Sequence, residues 1–273
     1  MIYKYIMAIT PKILFGYNDI KAWYRRLKKC NNKKYYFIKS YSASDDIVLC
    51  KKKKIDIIFP VSIKNCLFLS KNSKKYSKKD IKFLISPNET LQLLNDKSKF
   101  VQFMYNNNFD NYVPKKYDQI NCPCIIKKKI SLYGYNTYII NEESDIPKNI
   151  NLNNYLIQEL IPGIYEYATH ILAKNGIIEM YLTNQYSHST ELYVRGHSCK
   201  GIKTEEIILD PNIYNIFSEI LKKINYDGFC CFDYKIVDTN IPKIFEINAR
   251  IGASVMRCSM LDQFIQKYCE LSY

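Results

Sequence analysis

The chain has 273 residues, of which 47% are hydrophobic, and its 40 Lys and Arg against 26 Asp and Glu give a net charge of +14. A chain of this length can bury a large core and form one or two domains. No apolar run approaches the roughly 20 residues that cross a bilayer, so we expect no membrane-spanning segment. The ten cysteines include no Cys-x-x-Cys pair, which favours reduced thiols and a cytoplasmic location.

The excess positive charge lies in the first part of the chain. Residues 1–80 hold 20 Lys and Arg against 5 Asp and Glu, whereas residues 81–273 hold 20 against 21. A basic region of this kind attracts phosphates, nucleic acid or acidic proteins. The chain is also dense in Lys, Asn, Ile and Tyr, the residues of AT-rich codons, so base composition alone can supply solvated lysines. An acidic or nucleic-acid partner and a partnerless surface are the two alternatives.

The first 85 residues have the pattern of a small α/β domain. Strands alternating with helices favour a parallel sheet. The spacing of apolar residues over 19–29 predicts a helix. Apolar runs of strand length lie at 6–9, 13–15, 35–38, 47–49 and 55–61.

A helical segment follows the N-terminal domain. Ser86 is a good N-cap and Glu89 completes a capping box, so we expect a helix that begins at Ser86. The pattern predicts a break near Asn95 and a continuation to Met104. Lys97 lies in this second part, where its spacing alone predicts no more than a surface lysine.

Two short strands follow, each of which carries polar residues at its end. The first, 124–127, comes after a proline and ends at Lys127, and the loop that follows it, 128–135, contains one glycine. The second, 155–161, is followed by a Pro-Gly turn and then by Glu166. Any β protein can use such a strand and turn.

The next elements are a hairpin and a helix. Asn175-Gly176 between two apolar runs favours a type I′ turn, so we expect strands at 168–173 and 177–181. Residues 211–224 have the spacing of an amphipathic helix. A shorter helix over 261–271 is expected near the end of the chain.

A second hairpin, over 228–254, is the most informative stretch. When the chain is folded symmetrically about Thr239-Asn240, Asp233 lies directly opposite Glu246. Side chains alternate between the two faces of a strand. On this register Phe245 belongs to the apolar face and Ile244 to the polar face.

The polar face of this hairpin brings two carboxylates together. Asp233 and Glu246 would lie roughly 5 Å apart across the ladder and repel each other. A hard divalent cation between them relieves that repulsion, since the oxygens of Asp, Glu and Asn248 suit Mg²⁺. The alternative is a solvated face on which Lys235 neutralises the acids. The geometry alone leaves both interpretations open.

The residue pattern of this hairpin resembles the metal-binding end of the ATP-grasp superfamily. Asp233 is followed thirteen residues later by Glu-Ile-Asn-Ala-Arg, from Glu246 to Arg250, and then by Gly-Ala-Ser. Further residues upstream follow the order of the same superfamily, so the resemblance covers residues 90–254, about 60% of the chain. It is of the carboxylate–amine ligase type, similar to the carbamoyl-phosphate-synthase/D-alanine–D-alanine-ligase-like ATP-binding domain.

The resemblance implies an α/β protein with α+β lobes. It would have an ATP-grasp fold and, ahead of it, a short N-terminal parallel α/β domain. The implied boundaries are 1–85 for the basic first domain and 86–273 for the ATP-grasp domain. Within the latter, 86–156 would form the N-terminal lobe and 157–273 the C-terminal lobe.

The resemblance also assigns roles at the nucleotide. Lys97 and Lys127 would contact the phosphates of ATP. The backbone from Glu159 through Leu160 to Ile161 would pair with the adenine edge. Glu166 would bind the ribose hydroxyls, although the gap between Gly163 and Glu166 is one residue longer than in many relatives.

At the phosphate end, the resemblance implies that Asp233, Glu246 and Asn248 hold Mg²⁺, with Mn²⁺ as an alternative. Arg250 and Lys127 would be the catalytic residues, which stabilise charge on the transferring phosphoryl group. The implied activity is an ADP-forming ligase that activates a small carboxylate as an acyl-phosphate and joins it to an amine.

Two other functions are weighed against this one. The relatives have a glycine-rich loop over the phosphates, so the glycine-poor loop 128–135 favours a nucleotide-binding protein without turnover, or one that phosphorylates another acceptor. The N-terminal lysine excess favours a basic nucleic-acid-binding protein of another fold.

Overall fold

The computed structural model describes residues 12–16, 25, 35–38, 42–131, 134–195, 202–237, 240–257 and 260–273. The chain divides into two compact units, Met1–Ile85 with Ala253–Tyr273, and Ser86–Gly252. The domain boundaries expected from the sequence stay a prediction. The strand expected at 6–9 lies outside the described residues, as does all but Arg25 of the helix expected at 19–29.

The described residues form helices and strands that we number in chain order. The helices are α1 (Ala43–Lys53), α2 (Ile63–Ser77), α3 (Asn88–Asn95), α4 (Lys97–Asn106), α5 (Pro211–Lys223) and α6 (Leu261–Leu271). The strands of the first unit are β1 (Ile13–Gly16), β2 (Tyr35–Ile38) and β3 (Ile57–Phe59). Those of the second unit are β4 (Lys116–Tyr117), β5 (Cys124–Lys128), β6 (Thr137–Ile140), β7 (Tyr155–Glu159), β8 (Tyr165–Lys174), β9 (Ile177–Ser187), β10 (Lys203–Ile207), β11 (Gly228–Val237) and β12 (Ile241–Asn248).

The first unit contains the expected parallel sheet. Its strand order is β2-β1-β3, and both outer strands run parallel to β1. Helix α6 belongs to this unit through Tyr268, whose hydroxyl accepts from the Leu84 amide and donates to the Ile58 carbonyl. The ring of Tyr268 packs 4.7 Å from that of Phe59, so the end of the chain completes the core around β3.

The strand expected at 47–49 is wrong, because these residues lie within α1. The buried positions Asp46 and Cys50 are four residues apart, which is a helical and not a strand period. Acidic residues in the first turn and lysines in the last turn complement the helix dipole. The side chain of Asp46 also accepts a hydrogen bond from the Tyr76 hydroxyl of α2, at 2.6 Å.

The second unit contains two antiparallel sheets. One has the order β4-β7-β5-β6 and the other β10-β9-β8-β11-β12. The mixed α/β class is therefore confirmed. Among the described residues, no helix has the length and apolar character needed to cross a membrane.

The helical segment breaks where the sequence predicts, between α3 and α4. The side chain of Asp96 caps α4 by accepting from the amides of Ser98 and Lys99. The start of α3 differs from the expectation, because the helix begins at Asn88. Ser86 does not cap it; its hydroxyl accepts from the Asp227 amide and donates to the Asp227 carbonyl instead.

The hairpin of β11 and β12 has the expected register in one half only. Asp233 lies opposite Glu246, but a bulge follows, and Tyr234 pairs with Ile244. Ile244 is consequently fully buried on the core side. The expectation that Phe245 faces the core and Ile244 the polar side is wrong, because one extra residue in β12 exchanges the faces beyond the bulge.

The β8–β9 hairpin is confirmed, and its turn has positive φ at Asn175 (52°) and Gly176 (73°). A Cβ on Gly176 would lie 2.6 Å from Lys222 Cα and 2.8 Å from the Leu221 carbonyl oxygen, at the end of α5. We expect Gly176→Ala to lower the free energy of unfolding by about 2 to 4 kcal/mol, from the left-handed conformation and overpacking together. Urea denaturation measures this loss.

The control is Asn175→Ala, which keeps a Cβ at a neighbouring residue with positive φ and adds no atom. Its cost should be about 1 kcal/mol or less. Equal losses for the two variants would contradict the close approach of the turn to α5.

Candidate functional site

A buried polar face on the five-stranded sheet carries most of the predicted site residues. Asp233 and Lys235 lie on β11, and Glu246 and Asn248 on β12. Asp233 is only 8% exposed and Lys235 only 3% exposed. The interpretation of this face as a solvated surface is therefore wrong. Each buried charge requires a partner.

Glu246 is paired with Lys97. Lys97 Nζ lies 2.8 Å from Glu246 Oε2 and also donates to the Ser131 carbonyl, at 3.3 Å. Burial raises the pKa of Glu246, but the Lys97 ammonium and hydrogen bonds from Lys97 and Asn248 outweigh it and hold that pKa at about 2. Glu246 is thus a carboxylate at neutral pH, with a lysine of the chain as its counter-ion.

Asp233 is paired with Arg195, a residue for which the sequence predicts no role. Arg195 Nη2 lies 2.5 Å from Asp233 Oδ1, and Arg195 Nε lies 2.9 Å from Glu166 Oε1. Burial raises the pKa of both carboxyl groups, and the guanidinium opposes that rise. One arginine therefore neutralises two buried acids, on β11 and on β8.

Asn248 lies between the two opposed carboxylates. Its Nδ2 donates to Asp233 Oδ2 at 2.9 Å and to Glu246 Oε1 at 2.8 Å. Its Oδ1 accepts from Arg250 Nη2 at 3.2 Å, and Arg250 Nη1 donates to the Ile251 carbonyl. The amide thus joins Asp233, Glu246 and Arg250 into one network.

The donor set fits a hard divalent cation. Two carboxylates and an amide oxygen are ligands that Mg²⁺ accepts. A half-turn of the Asn248 amide exchanges its nitrogen and oxygen and directs the oxygen towards both carboxylates. No group of three or more His, Cys, Asp or Glu suited to a metal ion occurs in the part of the chain that the structure describes. The predicted set depends on the asparagine for its third ligand.

Lys127 is buried at the edge of the same network. It lies on β5, and its Nζ is 4.6 Å from the centre of the Phe245 ring, which the bulge in β12 places on the site side. Burial, opposed by Glu246 and reinforced by nearby Lys97, lowers the pKa of Lys127 to about 8. Both predicted phosphate lysines therefore lie near Glu246.

The predicted adenine hinge is linked to this face by Lys235. Glu159 ends β7 and exchanges hydrogen bonds with the Lys115 backbone. Leu160 follows it, and the Ile161 carbonyl accepts from Lys235 Nζ at 3.0 Å. Lys235 also donates to the Glu191 carbonyl at 3.1 Å and lies 4.3 Å from the Tyr193 ring centre. Lys235 donates to carbonyl oxygens. It does not have the role that the solvated alternative required of it, which was to neutralise the two acids.

The structure thus brings together every predicted residue of the phosphate and metal end. Two further cations lie in the site: Arg195, for which the sequence predicts no role, and Lys235, which the solvated alternative assigned to the acids; neither lies in a motif. Five cationic side chains therefore accompany three carboxylates. The cations are Lys97, Lys127, Arg195, Lys235 and Arg250, and the carboxylates are Glu166, Asp233 and Glu246.

A model of the ATP-grasp domain matches residues 94–254 of the chain. The chain belongs to the ATP-grasp family. This match covers the whole of the polar network from Lys97 to Arg250. A comparison with curated protein sequences found no match.

Solved structures confirm the ATP-grasp fold. Biotin carboxylase from Campylobacter jejuni, solved as a β-γ-ATP complex, is similar at 17% identity over 98% of this chain and 72% of its own, with a TM-score of 0.62. L-amino acid ligase from Bacillus licheniformis gives 10% identity over 96% and 74%, with a TM-score of 0.66. D-alanine–D-alanine ligase from Bacillus anthracis gives 14% over 96% and 97%, with a TM-score of 0.64.

The Lys97–Glu246 pair of this ATP-grasp domain has a measurable consequence. We expect Lys97→Met and Glu246→Gln each to lower the free energy of unfolding by about 1 to 3 kcal/mol, because each substitution removes the counter-ion of the remaining charged residue. In the double variant the two losses should not add. Urea denaturation of all four proteins in the presence of chelator measures the coupling. Losses that add to within about 0.5 kcal/mol would contradict the pair.

Proposed function

We propose that the chain is an ATP-dependent ligase that activates a small carboxylate as an acyl-phosphate and joins it to an amine, with release of ADP and phosphate. One observation carries this proposal: five cationic side chains lie with three carboxylates on one polar face of an ATP-grasp domain. Buried charges interact more strongly than charges in water. The excess of positive charge suits a triphosphate.

Asp233, Glu246 and Asn248 would hold Mg²⁺ or Mn²⁺. Such an ion, when bound, neutralises charge on the β- and γ-phosphates. The chain itself supplies the remaining positive charge. Lys97 and Lys127 would bind phosphate oxygens, and Lys97 would leave Glu246 to do so.

The nucleoside would lie towards the hinge. The backbone from Glu159 through Leu160 to Ile161 would pair with the adenine edge, and Glu166 would accept from the ribose hydroxyls. The Ile161 carbonyl accepts from Lys235, a contact that would help to hold the hinge backbone before any nucleotide binds.

The chemistry needs positioning and charge neutralisation more than covalent help from the protein. A carboxylate oxygen of the substrate attacks the γ-phosphorus, and the bond from that phosphorus to ADP breaks. The amine nitrogen then attacks the acyl carbon, a C–N bond forms, phosphate leaves with the C–O electron pair, and the nitrogen loses a proton. Arg250, which lies one same-face step beyond Asn248, would stabilise the charge that develops.

A thiol does not take the nucleophile's role at this face. Cys231 Sγ lies 3.7 Å from Asp233 Oδ1, but burial and then the nearby Asp233 carboxylate raise the pKa of this thiol well above its usual value. A thiolate is the reactive form of cysteine. Direct transfer between the two substrates accords with this.

A second function has a specific observation in its favour. In the loop after β5, the Lys129 ammonium donates to the Asn153 carbonyl at 2.7 Å. It therefore does not substitute for the amides of a glycine-rich phosphate loop. A nucleotide-binding protein without turnover, or one with another phosphoryl acceptor, is the alternative that this observation supports. An acidic or nucleic-acid partner of the basic N-terminal region, and a cytoplasmic location, stay predictions.

A hydroxamate assay tests the ligase. With Mg-ATP, pooled amino acids and small carboxylates, hydroxylamine should trap the acyl-phosphate as a hydroxamate, with one ADP released for each. Glu246→Gln should lose this activity, because it removes a metal ligand. Lys243→Met is the control, since the Lys243 ammonium donates to the Asn111 carbonyl at 2.9 Å and Lys243 is not one of the five cations of the site.

Thermal melts separate the two functions. Mg-ATP at millimolar concentration should raise the melting temperature in either case, because a ligand that binds only the folded state stabilises it. A shift without hydroxamate favours the binding protein. No shift would contradict both.

The pKa of Lys127 predicts a pH dependence of nucleotide binding. A lysine with a pKa of about 8 loses its charge as the pH rises through that value. The dissociation constant of Mg-ATP should therefore rise, by up to about tenfold for each pH unit above 8. Isothermal titration at several pH values measures this. In Lys127→Met the rise should disappear, and an unchanged pH profile in that variant would contradict the assignment.

A further inference from the structure

Arg195 holds the two carboxylates that the proposed function assigns to different parts of the metal–nucleotide complex. Its Nε pairs with Glu166, the proposed ribose ligand, and its Nη2 pairs with Asp233, a proposed metal ligand. The guanidinium fork matches two carboxylates at once, which a lysine ammonium cannot do with the same geometry. The guanidinium also lies over the Tyr186 ring of β9, at 4.6 Å.

A divalent cation and a guanidinium that contact the same carboxylate repel each other, so they compete for it. Asp233 Oδ1 accepts from Arg195 and Asp233 Oδ2 accepts from Asn248, so both oxygens already have a donor of the chain. A metal bound at Asp233 would therefore either displace the Arg195 guanidinium or lie close to it at a cost in repulsion.

We propose that Arg195 is an internal counter-ion that competes with the divalent cation for Asp233, and that it leaves this carboxylate when metal–nucleotide binds. This inference rests on the proposed function for the identity of the ligand. It adds a positioning residue that no motif of the chain assigns. Its release would be coupled to nucleotide binding through exchange of charge partners.

The segment that carries Arg195 contacts two other parts of the proposed site. The Glu191 carbonyl and the Tyr193 ring are held by Lys235, which also holds the hinge carbonyl of Ile161. A Cβ on Gly134 would lie 2.5 Å from the Arg195 carbonyl oxygen, so the loop after β5 rests against the same backbone. Movement of the Arg195 backbone would therefore alter contacts at both the predicted hinge and the loop after β5.

Arg195 also has an unused donor. Its Nη1 is buried and has no hydrogen-bond partner among the described residues. A buried donor that lacks a partner costs free energy. A guanidinium that turns away from the two carboxylates can direct this group at an anion, and the phosphates of the incoming nucleotide are the anions that the proposed function supplies.

Metal binding without nucleotide tests the competition directly. The probe is Mn²⁺, followed by electron paramagnetic resonance at about pH 8, on wild type and Arg195→Met. We expect Arg195→Met to bind Mn²⁺ on the order of tenfold more tightly, because the competing charge is gone. Arg195→Lys should lie between the two. Arg25→Met, the same change at an exposed arginine, is the matched control and should equal wild type.

A purely structural role gives a different result. Arg195→Met would then bind Mn²⁺ with unchanged or weaker affinity, and this outcome overturns the proposal. Circular dichroism establishes that the variant is folded. If Arg195→Met does not fold, the Arg195→Lys variant decides: tighter Mn²⁺ binding than wild type supports the competition, and equal or weaker binding contradicts it.

This experiment separates the failure of the inference from the failure of the proposed function. If wild type neither binds Mg-ATP nor forms hydroxamate while Arg195→Met still binds Mn²⁺ more tightly, the ligase fails and the counter-ion stands. If wild type is active and Arg195→Met leaves the Mn²⁺ affinity unchanged, the counter-ion fails and the ligase stands.

Discussion

The opposition of Asp233 and Glu246 across the β11–β12 ladder is the constraint on which the polar face depends. Two like charges at that separation in a buried place destabilise a hairpin unless cations approach them. The chain supplies Lys97 from α4 and Arg195 from the segment after β9, and the Asn248 amide lies between the acids. Elements distant in sequence are thereby held to one strand pair by charge, in addition to the apolar packing on the other face.

This arrangement keeps every acid of the face ionically satisfied before a ligand arrives. A nucleotide would therefore bind by exchange: phosphates take the lysines, and a cation takes the carboxylates. Each charged group that loses one partner would gain another, which limits the cost of leaving a buried charge unpaired. A site built on exchange is also stable without its ligand, in contrast to one that leaves buried carboxylates bare.

Much of this could be read from the sequence, and the misses have physical causes. Thr239-Asn240 and the alternation of residues gave the Asp233–Glu246 pairing, because a ladder has a fixed period. The bulge was missed, since a single extra residue leaves no compositional mark. The segment at 47–49 was assigned to a strand because a short apolar run fits either element. Arg195 and Lys235 were given the wrong role or none, because their partners come from other parts of the chain.

The bulge at Phe245 has a consequence for which sequence changes the chain can accept. Residues 241–244, which precede the bulge in β12, pair with β11 in a register shifted by one residue from that of the half that carries Glu246 and Asn248. Removing one residue there would straighten the ladder and place the Phe245 ring away from Lys127. Substitutions within residues 241–244 leave the strand register at the site unchanged, whereas a one-residue insertion or deletion there changes it. Length, and not composition, is what this short segment must preserve.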